Sequence, residues 1–75
     1  MIPLKNAELG KYLKIKSIEI ENSSLLNRLY EIGFFKGAEI RLISYRKSMP
    51  AIIGIGESRF AIGNDLAEKI YLEPI

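Results

Sequence analysis

The chain has 75 residues, of which 48% are hydrophobic and 27% are charged, so it can build one small core and we expect a single domain over residues 1–75. Cysteine and histidine are both absent, which excludes disulfides, thiol and imidazole catalysis, and the metal sites that these residues form. Eleven basic and nine acidic residues leave a formal net charge of only +2, which does not indicate a strongly basic surface.

The remaining candidate metal ligands are carboxylates spread along the chain. Only Glu19 and Glu21 lie two residues apart, and on a strand both side chains would lie on one solvated face. We interpret them as an exposed strand end in preference to a cation site. Acid–base catalysis would require a carboxylate that is buried or has a like-charged neighbour, and nothing in the sequence indicates one. We therefore expect no metal site, no cofactor and no enzymatic activity.

Long apolar segments are also absent from the sequence. The longest nearly continuous apolar stretch is AIIGIG, residues 51–56, far shorter than the roughly 20 residues that a membrane span needs. The N-terminus lacks the apolar core of a signal peptide. We expect a cytoplasmic protein that does not insert into membranes.

Near the start of the chain, we expect the segment PLKNAELGK on the surface. Leu4 is its expected buried anchor, and Gly10 marks a turn. A strand is predicted next, in YLKIKSIEI. Its apolar positions are Leu13, Ile15, Ile18 and Ile20. Their alternation shifts parity after Ile15, which predicts a bulge or bend of the kind that small barrels need at their corners.

The apolar period changes from two to about 3.6 in NSSLLNRLYEIG, which predicts a short helix over residues 23–32. Its apolar face consists of Leu25, Leu26, Leu29 and Ile32. The candidate N-caps are Asn22, Ser23 and Ser24. The side-chain oxygen of each can accept a hydrogen bond from one of the first free backbone N–H groups. The sequence does not choose among them. Gly33 can adopt the left-handed conformation that ends a helix.

Three short strands are predicted after the helix. Gly37 occupies a turn, and AEIRLISY then alternates apolar and charged residues as a half-buried strand does. RKSMP forms a loop, since Pro50 disfavours helix at the residue before it and cannot donate to a ladder. AIIGI and RFAI form a hairpin, joined by residues 56–58.

GNDLAEKI predicts a helical turn around residues 64–69, opened by Asn64 or Asp65, and YLEP predicts a final strand. The elements together predict a mainly β fold, a small SH3-like barrel of about five antiparallel strands with one short helix and one helical turn. An OB-fold usually needs more chain and places its helix later.

The segment RLYEIGFFKGAEIRLI, residues 28–43, resembles the helix–glycine–loop–glycine–strand signature of the ferrous iron transport protein A (FeoA) family. The flanking order agrees, since Pro3, Leu4 and Gly10 resemble the family's opening and RFAIGNDLAEKIYL resembles its closing strand, helical turn and strand. The chain is also similar to the C-terminal SH3-like domain of iron- and manganese-dependent repressors. It has no DNA-binding helix pair, so a complete repressor is excluded.

The resemblance implies an SH3-like fold and an accessory role beside FeoB, a membrane transporter of ferrous iron with a cytosolic GTP-binding domain. We expect a non-enzymatic protein that supports or regulates iron uptake by contact with the cytosolic part of FeoB, as a monomer or weak homo-oligomer. A chain without cysteine or histidine is poorly equipped to carry ferrous iron itself. Two alternatives stay open: a nucleic-acid-binding SH3-like barrel, although no nucleic acid is expected, and a metal-ion-binding or sensing domain.

Two adjacent phenylalanines follow the predicted helix. Phe34 is expected to fold back on Leu29 and be buried, as the residue after a glycine cap commonly does. Phe35 would then point outward beside Tyr30 and Lys36, and these three residues are the predicted partner-binding site. The alternative is a curled loop that buries both rings in the open end of the barrel.

Overall fold

The computed structural model describes residues 1–75 and contains six strands: β1 Ile2–Pro3, β2 Tyr12–Ile18, β3 Glu39–Ser44, β4 Ala51–Ile55, β5 Ser58–Ile62 and β6 Ile70–Glu73. A 3-10 helix spans Leu4–Asn6, and two α-helices, α1 and α2, span Ser23–Glu31 and Asn64–Ala67. The strands form one antiparallel sheet in the order β1-β6-β2-β3-β4-β5. The predicted mainly β fold is therefore confirmed.

The structure has one strand more than the five expected from sequence. β1 pairs Ile2 with Leu72 and Pro3 with Tyr71 in β6. A two-residue strand is too short to show alternation, and a proline is tolerated there because the strand lies at the edge of the sheet. Leu4, the expected anchor of this segment, is fully buried.

The core contains 13 buried hydrophobic residues and no buried polar or charged residue. They come from all parts of the chain: Leu4, Leu13, Ile15, Leu29, Phe34, Ile40, Leu42, Ala51, Ile53, Ile62, Ala67, Ile70 and Leu72. Alternate residues of β2, β3, β4 and β6 point into this core, as the pleat of a half-buried sheet requires. The opposite face of the sheet carries mostly polar side chains.

The parity shift in β2 is a β-bulge, as predicted. Ile15 pairs with Leu72, but Ser17 pairs with the next residue back in β6, Tyr71, so Lys16 is the extra residue. A bulge bends its strand and increases the local twist. It also brings Ile18 next to Ile70, where it packs against the core.

Helix α1 begins after Asn22, whose Oδ1 accepts a hydrogen bond from the backbone N–H of Leu25 at 3.1 Å. The structure thus selects one of the three candidate caps. Leu29 is the only fully buried residue of the helix, and Ile32, just beyond its end, is 38% exposed. The apolar face seen in the sequence is therefore wider than the surface that the helix buries.

The start of the second helix agrees with the prediction in part. The helix opens at Asn64, one of the two residues predicted to open it, but its N-cap is Gly63, and no side chain caps it by a hydrogen bond. Gly63 has an extended backbone and alone connects the buried Ile62, the last residue of β5, to Asn64, the first residue of α2. In the preceding hairpin, Ser58 pairs with Ile55, so the connection has two residues instead of three.

Candidate partner-binding site

The C-terminal end of α1 is closed by a Schellman motif. Gly33 has φ +93°, the left-handed conformation that a residue with a β-carbon adopts only at a cost. The N–H of Phe34 donates to the carbonyl of Leu29 at 2.8 Å, and the N–H of Gly33 donates to the carbonyl of Tyr30 at 3.0 Å. These two bonds fix the direction in which the chain leaves the helix, and the predicted role of Gly33 is confirmed.

The two phenylalanines face opposite ways. Phe34 is 1% exposed and belongs to the core together with Leu29, whereas Phe35 is 37% exposed. The expectation of one buried and one exposed ring is confirmed, and the alternative with both rings buried is wrong. Because the Schellman motif sets the path of the chain, Phe34 turns back under the helix and Phe35 is carried to the surface.

The exposed ring of Phe35 contacts Tyr30. The two ring centroids lie 4.9 Å apart and the ring planes are inclined by 38°, within the range of favourable aromatic pairs. Tyr30 is 64% exposed, and Lys36, the next residue along the chain from Phe35, is exposed and forms no ion pair. We call these three residues, Tyr30, Phe35 and Lys36, the aromatic patch.

The loop that carries the aromatic patch is tied to the sheet. Gly37, with φ +94°, donates its N–H to the carbonyl of Ile15 at 2.8 Å, and Ile15 donates its N–H to the carbonyl of Ala38 at 2.9 Å. The N–H of Ala38 also donates to the carbonyl of Phe35 at 3.0 Å, which closes the turn. The predicted turn at Gly37 is confirmed, and these bonds order the backbone of the loop that carries Phe35.

An open apolar groove on the same helix was not identified from the sequence. It has a volume of about 350 Å³ and is lined by Leu25, Arg28, Leu29, Glu31 and Ile32. The signal in the sequence is the apolar spacing of Leu25, Leu29 and Ile32, which predicts an apolar helix face but not how much of that face the fold covers. The structure shows that part of this face is left uncovered.

The side chains do not assemble a metal centre. No group of three or more aspartate or glutamate residues is placed to hold an ion. Glu19 and Glu21 follow β2 and are both exposed. None of its helices is long and apolar enough to cross a membrane.

Comparisons with known proteins agree with this architecture. The FeoA domain family matches residues 2–74. A crystal structure of an iron uptake regulatory protein (FeoA) is 28% identical, with a TM-score of 0.79 over 96% of this chain and 93% of that one. FeoA of Stenotrophomonas maltophilia, crystallised with zinc, is 25% identical, with a TM-score of 0.76 over 97% of this chain and 91% of that one. It is described as an SH3 domain protein.

A more distant likeness concerns the fold alone. The manganese-activated repressor ScaR is 23% identical, with a TM-score of 0.80 over 99% of this chain but only 35% of its own length. No curated protein sequence matches the chain. Because the FeoA domain family matches almost every residue, and its solved members share the sheet described above, the chain belongs to the FeoA domain family and has an SH3-like fold.

Proposed function

We propose that this protein is a non-enzymatic accessory factor of ferrous iron transport that works in the cytoplasm by binding the cytosolic part of a FeoB-type transporter through the aromatic patch. Membership of the FeoA domain family supports the link to iron transport. FeoA of S. maltophilia has itself been put forward as a ferrous iron transport activating factor. A factor that acts on the transporter directly needs an exposed surface with which to contact it.

The observation that carries the proposal is the exposed pair of rings in the aromatic patch. The chain has only four tyrosines and three phenylalanines, yet Tyr30 and Phe35 stack on the surface. Aromatic side chains are enriched among the residues that dominate binding energy at protein interfaces. Since backbone hydrogen bonds already order the loop that carries Phe35, binding a partner would cost this protein little further loop entropy.

The positive charge of the aromatic patch favours a partner surface with acidic groups. Lys36 forms no ion pair within the protein, so its ammonium group is free to meet a carboxylate on the partner. We infer that the complementary surface is a shallow apolar pocket with an acidic rim. Rim charges mainly steer association, and the apolar contact supplies most of the affinity.

Direct metal binding plays no part in the proposal. The zinc ion belongs to the S. maltophilia protein, whereas this chain has no histidine, no cysteine and no cluster of carboxylates that fits such an ion. Contact with another protein is the route by which a chain of this composition can influence iron uptake.

A pull-down from detergent-solubilised membranes of the source cell tests the proposal. The tagged protein is immobilised, and retained FeoB is detected by immunoblot. We expect the parent and the Leu9→Ala variant to retain FeoB, since Leu9 is a 61% exposed apolar residue outside the aromatic patch, and Phe35→Ala to lose it. Absence of FeoB from the parent eluate would contradict the proposed partner, and equal retention by all three proteins would contradict the proposed surface.

A further inference from the structure

One edge of the sheet is open along a full strand. β5 lies at the end of the strand order and pairs only with β4, so its other side has no neighbouring strand. The opposite edge of the sheet is the two-residue β1. Proteins usually protect exposed edges with charged side chains, proline or a bulge, but β5, with the sequence SRFAI, has no proline and no bulge, and Arg59 is its single charged residue.

The hairpin geometry shows which residues offer free backbone groups at this edge. A two-residue turn makes Ile55 and Ser58 a hydrogen-bonded pair, and such pairs alternate along an antiparallel ladder. Phe60 and Ile62 therefore bond to β4. The N–H and C=O groups of Arg59 and Ala61 point to the open edge, and neither residue forms a backbone hydrogen bond outside the strand ladder.

The outer face beside Arg59 carries unpaired positive charge. The register aligns Tyr12, Arg41, Gly54 and Arg59 in a row across four neighbouring strands. Gly54 has no side chain, and Cγ and Nε of Arg41 lie over it, 3.1 Å from the position that a β-carbon would take. The Nε–H of Arg41 donates to the hydroxyl of Tyr12 at 3.1 Å.

Neither guanidinium group in this row has a carboxylate partner. The single ion pair of the protein joins Lys16 to Glu73 elsewhere on the sheet. Glu57 lies in the turn next to β5 but forms no ion pair with Arg59. Since no side chain separates Arg41 from Arg59, the outer face next to the open edge favours an acidic group.

An apolar cleft lies two residues further along the same edge. It has a volume of about 240 Å³ and is lined by Ser44, Arg46, Met49, Pro50, Ile52 and Ala61. Ser44, Ile52 and Ala61 form a cross-strand row on the outer face, and Ala61 is the last residue of that row before the open edge. A side chain placed opposite the small Ala61 would border this cleft.

We propose that the β5 edge binds an extended segment of a protein partner as a seventh, antiparallel strand, with the segment carrying an apolar residue opposite Ala61 and an acidic residue opposite Arg59. Side chains on one face of a strand are two residues apart, so the recognised sequence is apolar–x–acidic in the N-to-C direction. The backbone groups of Arg59 and Ala61 supply the hydrogen bonds. This surface is independent of the aromatic patch and of the proposed contact with FeoB.

A second copy of the chain is a poorer occupant than an acidic segment. A β5–β5 pair that uses both open residues would place Arg59 of one copy opposite Ala61 of the other. The two Arg59 side chains would then be diagonal neighbours on one face, close enough for these long side chains to approach each other, and their like charges would repel. Charge complementarity therefore selects an acidic partner strand.

Nuclear magnetic resonance with isotopically labelled protein tests the proposal, using the peptide acetyl-Thr-Val-Thr-Leu-Thr-Asp-Thr-Val-Thr-amide as the probe. At near-saturating peptide, we expect hydrogen exchange of the Arg59 and Ala61 amides to slow by about tenfold or more, while exchange of the Phe60 amide, already bonded to β4, changes little. The matched peptide with lysine in place of aspartate should bind about tenfold more weakly.

Protein variants make the test specific. Arg59→Glu should reverse the preference between the two peptides. Ala61→Pro removes an N–H that points to the open edge and is not bonded to β4, so it should abolish peptide binding. The far-ultraviolet circular dichroism of Ala61→Pro should match that of the parent. Phe35→Ala should bind the aspartate peptide as the parent does. The proposal is overturned if the peptide leaves the Arg59 and Ala61 amides unprotected, if Arg59→Glu keeps the parent's preference, or if protection appears without peptide and rises with protein concentration.

Discussion

Tyr30 and Phe35 lie on either side of the Gly33 turn, and their ring centroids are 4.9 Å apart on the surface of the protein. The contact depends on the left-handed glycine, because the Schellman motif sends Phe34 into the core and returns Phe35 toward the last turn of α1. One backbone motif thus separates a structural aromatic residue from an exposed one.

Truncation of each phenylalanine should give opposite results. Phe34→Ala removes a fully buried ring and should lower the free energy of unfolding by about 3 kcal/mol or more. Phe35→Ala removes a partly exposed ring and one aromatic contact and should cost about 1 kcal/mol. Urea denaturation of both variants measures the difference, and a loss at Phe35 as large as that at Phe34 would show that both rings belong to the core.

Alanine at Gly33 should destabilise the protein through the backbone alone. The added β-carbon would meet only Cγ2 of Ile55, at an ordinary 3.4 Å, so the cost of about 1 kcal/mol comes from the positive φ. Gly63→Ala is the matched control, because Gly63 has φ −62° and open space around it. Thermal unfolding should rank Gly33→Ala below both the parent and the control; equal melting temperatures would contradict the glycine cap.

The helix cap is equally open to test. Asn22→Ala should cost about 1 kcal/mol, since it removes the acceptor of the Leu25 N–H. Ser23→Ala and Ser24→Ala serve as controls, because neither hydroxyl caps the helix, and they should change stability by less than about 0.5 kcal/mol. If either serine variant loses as much stability as the asparagine variant does, the assignment of the cap is incorrect.

Ferrous, manganous and zinc ions should bind only weakly, because the chain offers dispersed oxygen ligands and neither imidazole nor thiolate. Anaerobic calorimetric titration, after removal of any histidine tag, measures this. A stoichiometric site of submicromolar affinity would contradict the account and favour a metal-sensing role.

The regular elements of the fold could be predicted from the sequence because their patterns are local. The parity shift after Ile15 predicts the bulge in β2, and Gly33 predicts the end of α1; both are confirmed. The short β1 could not be predicted, since its existence depends on pairing with β6 at the other end of the chain. The N-cap of α2 depends on how Gly63 leaves β5, which no side-chain preference indicates.

The site was predictable in part for the same reason. The burial of Phe34 and the exposure of Phe35 follow from a helix-capping rule that acts over a few residues. The open edge of β5 and the row that contains Arg41, Gly54 and Arg59 depend on the strand order and on register across four strands. Such relationships join distant parts of the chain, and a single sequence does not specify them.

Calorimetric titration of the purified cytosolic part of FeoB with the parent and matched variants shows whether the aromatic patch binds FeoB. The parent and Leu9→Ala should bind with equal affinity. Phe35→Ala should bind at least about tenfold more weakly, because removing an aromatic anchor should cost about 1.4 kcal/mol or more of binding free energy. No binding by the folded parent protein, or equal affinities for Phe35→Ala and Leu9→Ala, would contradict the proposed contact.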